Sequence, residues 1–201
     1  SVQHLVHSYE PNNKDWQKTL DKMSKTIIEQ IDTLSAIATE FSNFAKMPIP
    51  INERVNLIHK IYNTSELFKQ ENNITINFIT NNINEAIITA DKEQILRVFN
   101  NLLKNSIQAI PDDQHGIITI EINEEINHYI LKIADNGTGI SDEMKPKIFQ
   151  PNFTTKSSGM GLGLSMVRNI IANIGGEIWF ETELGQGTSF YIRFPKPDAN
   201  P

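Results

Sequence analysis

The chain has no cysteine. That absence excludes disulfides, thiolate zinc sites, iron–sulfur clusters and cysteine nucleophiles together, and it fits a reducing compartment, so a cytoplasmic location is expected. No apolar run approaches the roughly 20 residues needed to span a bilayer, and Ser1-Val2-Gln3-His4 does not open a signal peptide. A basic excess is missing too: 18 Lys and Arg against 24 Asp and Glu leave a formal charge of -6, which argues against the phosphate-backbone contacts that nucleic-acid affinity rests on. What the 201 residues do contain is 39% hydrophobic side chains, enough for one or two domains with buried cores. A soluble chain cut from a larger parent is the expectation.

Residues 15–45 lack Gly and Pro and repeat apolar side chains every seven positions, at Leu20, Ile27, Leu34 and Phe41, with a second seam through Ile31, Ala38 and Ala45. This predicts one amphipathic helix about 45 Å long at 1.5 Å per residue, which must bury its seam against other helices. Residues 1–9 read as the tail of a preceding helix and Glu10-Pro11-Asn12-Asn13 as the turn between the two. Met47-Pro48-Ile49-Pro50 ends the long helix, placing a domain boundary between 1–47 and 48–201. Beyond it Asn52 is expected to cap a helix reaching about Gln70. Alternation then predicts strands over 74–79 and 86–90, a helix over 92–110, a hairpin of 117–123 with 129–134, a helix over 164–173, and strands over 177–181 and 188–194. The order implies a layered fold with a mixed sheet.

Four clusters carry possible chemistry. Asn101 and Asn105 stand four apart in a predicted helix, so both carboxamides share a face; an amide oxygen is a hard neutral ligand suited to Mg²⁺ otherwise held by water and phosphate, although an isolated pair also suits a solvated helix face. Asp135-Asn136-Gly137-Thr138-Gly139 follows an apolar strand, where a carboxylate can accept from a ligand amine while the backbone approaches closely; a tight Asp-Gly turn is the plain alternative. Gly159-Met160-Gly161-Leu162-Gly163 opens a helix, and backbone N–H groups there can face phosphates. It is neither a P-loop nor a Rossmann loop. Gly185-Gln186-Gly187-Thr188 precedes the last strand and offers a hydroxyl. Between the second and third clusters, Phe149 and Phe153 can anchor a mobile segment, and Lys156 can reach phosphates.

In that order the clusters resemble the N, G1, F, G2 and G3 boxes of the catalytic, ATP-binding domain of sensor histidine kinases, within the superfamily shared with DNA gyrase, MutL and the large heat-shock chaperone. The likeness covers about 48–197, and the helix before it resembles the second helix of the dimerisation and histidine-phosphotransfer hairpin. The resemblance implies an α+β fold of the GHKL (Bergerat) type, a sandwich whose mixed sheet is covered by helices on one face, preceded by a long bundle-forming helix. It implies ATP and Mg²⁺ as cofactors, with Asn105 as metal ligand and Asn101 as a nearby phosphate or metal contact. Asp135 would bind the adenine amine, with Gly137 and Gly139 shaping the turn and Thr188 supporting it. Gly159, Gly161, Leu162 and Gly163 would border the triphosphate in a lid anchored by Phe149 and Phe153. A homodimer through 15–45, a response regulator receiver domain as partner, and a parent that can be an inner-membrane sensor are implied as well. Gln108-Ala109 and Phe153-Thr154-Thr155-Lys156 look most like the nitrogen-regulation branch.

Two departures matter. Many members carry Lys where this chain has Gln108, so a phosphate contact is expected to pass to Lys156 or Arg168. The family's acceptor histidine is followed by an acidic residue and then by Asn or Thr before Pro, which neither His4-Leu5-Val6 nor His7-Ser8-Tyr9 matches; the acceptor is therefore expected upstream of Ser1, and His59, His115 and His128 at the surface. The alternative functions are a conformational ATPase of the gyrase type, which places a general-base Glu where this chain has Asn101, a serine kinase of the anti-sigma type, and a nucleotide-sensing module without phosphotransfer.

Overall fold

The computed structural model describes residues 14–45, 49–68, 73–154 and 161–197; the readings placed on His4, His7, Lys156 and Gly159 lie outside them. The described residues form two compact units, one of them a single helix. That helix, α1 (Lys14–Ala45), is 32 residues long, as the uninterrupted seven-residue pattern requires. Three of its seam residues are open to solvent: Ile27 is 41%, Ile31 58% and Leu34 63% exposed.

The second unit begins differently from its sequence expectation. Residues 52–56 are not helical; they form a strand, β1 (Asn52–Asn56). The helix behind it, α2, spans only Leu57–Glu66, and its cap is Asn56, whose Oδ1 accepts from the Ile58 amide at 3.1 Å and the His59 amide at 3.5 Å. The expected Asn52 cap fails because Asn52 pairs with Asp91 in an antiparallel two-stranded sheet of β1 with β3 (Ile87–Asp91). A cap needs non-helical φ/ψ just before the first turn, and the strand carries that geometry forward to Asn56.

The main sheet has five strands, β2 (Ile74–Ile79), β4 (Gly116–Glu124), β5 (His128–Asp135), β7 (Gly187–Pro195) and β6 (Glu177–Glu183), in spatial order β2-β4-β5-β7-β6. Only β2 with β4 is parallel, and that crossover carries β3 and helix α3 (Lys92–Ala109). A further helix, α4 (Gly163–Asn173), precedes β6. Because successive strand side chains point to opposite faces, Ile118, Ile120, Ile122, Leu131, Ile133, Phe190, Ile192 and Phe194 all turn to one side. There they bury against Ile95, Phe99, Leu102 and Leu103 of α3, Val167 and Ile170 of α4, and Leu57 and Ile61 of α2. This is the expected α+β sandwich with helices on one face of a mixed sheet.

The other face has no second layer among the described residues. Trp179 stacks on Tyr191 with ring centroids 5.3 Å apart and planes 6° from parallel, Arg193 lies 5.4 Å over Trp179, and Tyr191 donates to Glu181 at 2.7 Å. Cross-strand aromatic pairs of this kind stabilise the edge of a sheet.

Helix α3 begins at Asp91, whose Oδ1 accepts from the Glu93 and Gln94 amides at 2.9 and 3.0 Å while Oδ2 accepts from the Ile51 amide at 2.8 Å. The Ile51 bond, aided by the two cap amides, holds this carboxyl below the usual carboxylate range.

The two asparagines give a direct test of the revised start. Asn56→Ala should lower stability by about 1 kcal/mol, the usual worth of a side-chain cap. Asn52→Ala should change it by less than about 0.5 kcal/mol, as surface substitutions do. Urea unfolding followed by circular dichroism reads both, and the reverse ranking would restore Asn52 as the cap.

Candidate functional site

The site lies where α3, the turn after β5, the start of α4 and the start of β7 meet. Helix α3 buries Ile95, Val98, Phe99, Leu102, Leu103 and Ser106, and the flank beside that stripe carries Asn101 and Asn105, both half-buried. Asn101 donates Nδ2 to the Arg97 carbonyl at 2.8 Å. Its Oδ1 faces the first residue of α4 so closely that a Cβ on Gly163 would meet it at 2.5 Å. A side chain at 163 would have to displace the Asn101 amide, so glycine there leaves that amide where it lies. The first turn of α4 receives no side-chain cap, leaving the helix N-terminus with the orphan donors and positive dipole end that favour an anion.

Asp135 ends β5 on the core face and is 8% exposed. Its Oδ1 accepts from the Gly137 amide at 3.0 Å and the Thr188 amide at 3.2 Å. Burial pushes the carboxyl above its ordinary range, while those amides and the nearby Ser106 hydroxyl pull the other way. Ser106 Oγ, in a side chain 1% exposed, finds no partner at hydrogen-bonding geometry. A buried hydroxyl beside a buried carboxylate keeps hydrogen-bonding capacity that a polar ligand edge would use, and an unmade hydrogen bond there costs about 1–3 kcal/mol.

The turn itself is pinned from two sides. Gly137 sits against the Ala109 carbonyl, which a Cβ would meet at 2.5 Å, and Thr138 donates to the same carbonyl at 2.9 Å. Gly139 backs onto the Glu183 carbonyl, and Gly185 donates to Thr138 at 2.8 Å. Asn136 takes part through both ends of its amide, accepting from the Ile117 N–H at 2.8 Å and donating to the His115 carbonyl at 2.9 Å. Thr188 is 5% exposed and faces Asp135 in the β5–β7 register.

Phe149 and Phe153 both pack on the core, with Phe149 edge-on to Phe180 at 5.9 Å. Gly161 lies against the backbone of Phe153, and Leu162 is buried. The Arg168 guanidinium, one of the two cations expected at a phosphate, lies 5.8 Å over the Phe149 ring. His59 and His115 are exposed as expected, while His128 is half-buried.

The sequence reading thus named Asn101, Asn105, Asp135, Gly137, Gly139, Gly161, Leu162, Gly163 and Thr188, and the fold brings their segments together. Ser106 and Thr182 lie outside the four clusters, and Asn136, within one, has no role assigned there. Nothing in a lone hydroxyl or amide announces a role; only strand register puts Thr182 opposite Thr188.

The donor set fits a nucleotide with its metal. Among the described residues no group of three or more His, Cys, Asp or Glu could hold a metal ion. A divalent cation here would therefore draw most of its ligands from phosphate and water, with a neutral amide such as Asn105 completing the shell.

Comparison with known proteins defines the class. Residues 90–198, just over half of the chain, match the family described as histidine kinase-, DNA gyrase B-, and HSP90-like ATPase, and the chain belongs to that family. It is 31% identical over 177 residues to the sensor histidine kinase ZraS of Escherichia coli strain K12, covering 87% of this chain and 37% of that one. Among solved structures it is similar to the catalytic domain of the histidine kinase ThkA, with a TM-score of 0.64, 33% identity, and 73% and 97% of the two chains covered. It is also similar to ThkA in complex with the response regulator protein TrrA, with a TM-score of 0.70, 28% identity, and 97% and 55% covered. The chain spans about a third of the length of the curated relatives it matches. No helix among the described residues is long and apolar enough to cross a membrane.

The burial of Asp135 has a consequence for stability. Its folded pKa is raised, so the native state holds a proton more readily than the unfolded chain, and the ionised form costs stability at every pH above that folded pKa. Asn at this position keeps an acceptor for the Gly137 and Thr188 amides without the charge. Asp135→Asn should raise the urea midpoint of the ligand-free protein at pH 7. That gain should shrink as pH falls through the folded pKa and vanish below the ordinary carboxylate range. A lowered midpoint at pH 7 would mean that the charge is well satisfied without ligand.

Proposed function

We propose that this chain is the ATP-binding catalytic region of a sensor histidine kinase, and that it transfers the γ-phosphoryl of Mg-ATP to a histidine for relay to a response regulator receiver domain. One observation carries the choice of phosphotransfer over hydrolysis. The side chain set against the start of α4 is the carboxamide of Asn101, and an amide cannot take a proton from water at neutral pH as a general base must. Asp135 and the Ser106 hydroxyl would read the adenine edge. The uncapped first turn of α4 would face the phosphates, and Asn105 would complete the coordination of Mg²⁺, which supplies charge neutralisation when bound. Positioning and charge neutralisation are what such a transfer asks of its protein.

The remaining parts of the reading follow. Residues 1–47 belong to the dimerisation and phosphotransfer hairpin and 48–201 to the catalytic domain. The open seam of Ile27, Ile31 and Leu34 on α1 supports self-association, and the ThkA complex with TrrA supports a receiver domain as partner. The chain would work on the cytoplasmic side of a parent that can be an inner-membrane sensor.

Supplying the chain with γ-labelled Mg-ATP, together with a dimer that has an intact acceptor histidine and a disabled nucleotide site, tests the reaction. Acid-labile label should appear on that histidine and fall by roughly a hundredfold or more with Asn105→Ala, the scale of losing a transition-state contact. Rapid release of free phosphate with no labelled protein would overturn phosphotransfer in favour of an ATPase. Sedimentation velocity tests the seam separately: a dimer or higher species that falls apart in Ile31→Asp/Leu34→Asp is expected, and a monodisperse monomer of the unsubstituted chain would count against it.

A further inference from the structure

Thr182 is half-buried on β6, opposite Thr188, and the proposed reaction makes no use of it. Its single hydroxyl meets three groups. The Ile140 amide donates to Thr182 Oγ1 at 3.0 Å, the Gly187 carbonyl oxygen lies at 2.9 Å, and Thr188 Oγ1 lies at 2.9 Å. A threonine hydroxyl has one proton and two acceptor lone pairs, so only one arrangement satisfies all three. The Ile140 N–H occupies one lone pair. A carbonyl cannot donate, so the Thr182 proton goes to Gly187. The third contact then requires Thr188 to donate to the remaining lone pair of Thr182.

The Thr188 proton is thereby committed inside the protein, and its hydroxyl can act towards anything else only as an acceptor. Beside it, the two backbone amides that reach Asp135 both bind Oδ1, so among the described residues the other carboxylate oxygen takes no backbone donor. The Ser106 hydroxyl, buried beside the carboxylate, can turn to donate or to accept; the Thr188 hydroxyl cannot.

We propose that Thr182 determines base specificity: by holding the Thr188 proton it makes Asp135 and Thr188 an accepting pair, which selects a purine whose exocyclic amine presents two N–H donors. Thr182 touches no ligand; it is a positioning residue acting through Thr188. The inference rests on the reading of this site as a nucleotide pocket and deepens it. Chemistry of this kind discriminates strongly, because a buried acceptor left without a donor is costly.

The test compares dissociation constants of the full chain for ATP and for the 6-unsubstituted purine riboside triphosphate, each displacing a fluorescent nucleotide. Their ratio isolates the amine. Thr182→Val, equal in shape and suited to a strand, should reduce that ratio by roughly five- to tenfold, the factor one net hydrogen bond is worth. Thr182→Ser should restore it. A purely structural role would weaken both triphosphates equally and leave the ratio unchanged, which overturns the proposal. Should Thr182→Val melt before binding can be read, Thr188→Val decides: the same fall in ratio supports the accepting pair, and an unchanged ratio overturns it. Failure of the unsubstituted chain to bind either triphosphate would overturn the nucleotide reading itself. Binding with a ratio indifferent to both substitutions would remove only the role of Thr182.

Discussion

Asp135 holds a carboxylate out of water at the end of a central strand, and the surrounding segments are arranged by what that group needs. Burial opposes its charge, and two backbone amides from different parts of the chain answer it. One belongs to the turn that follows β5, the other to the first residues of β7. Each amide must be delivered at a fixed distance, so the turn is braced against the end of α3 through Ala109 and against the β6–β7 connection through Thr138 and Gly185. Chain segments some fifty positions apart thus converge on one functional group, as the separation of Asp135 and Thr188 requires.

Helix α3 serves the core and the site with adjoining faces. Its buried stripe meets the sheet, and the flank carrying Asn101 and Asn105 meets the start of α4. A packed interior resists displacement of any one element, so the carboxamides inherit their positions from Phe99, Leu102 and Leu103. Pre-organisation of this kind suits phosphoryl transfer, where geometry and charge do most of the work.

Much of this was legible in the sequence, for identifiable reasons. The strict alternation through Ile118, Ile120 and Ile122 marks a strand with one covered face, and the four-residue spacing of Asn101 and Asn105 marks a shared helix face. Strand β1 was hidden because Asn52-Glu53-Arg54-Val55-Asn56 buries a single apolar side chain, Val55, and its partner lies more than thirty residues away. No local pattern encodes such a pairing. Asparagine stands at both of its ends, so residue type alone could not separate a strand's first residue from a helix cap. Ser106, Asn136 and Thr182 were hidden for another reason. Their importance lies in where protons and lone pairs fall once distant strands are in register, and a hydroxyl written in a sequence has no direction.

The stacked pair on the uncovered face of the sheet has a practical side. The chain contains two tryptophans, Trp16 on α1 and Trp179 against Tyr191 on β6, one in each compact unit. Because Trp179 lies against a phenol ring and within 5.4 Å of a guanidinium, its emission reports on the integrity of the sheet, and that of Trp16 on the helix. The two halves of the molecule therefore carry separate intrinsic optical labels, and single-tryptophan variants would show whether they melt as one body or as two.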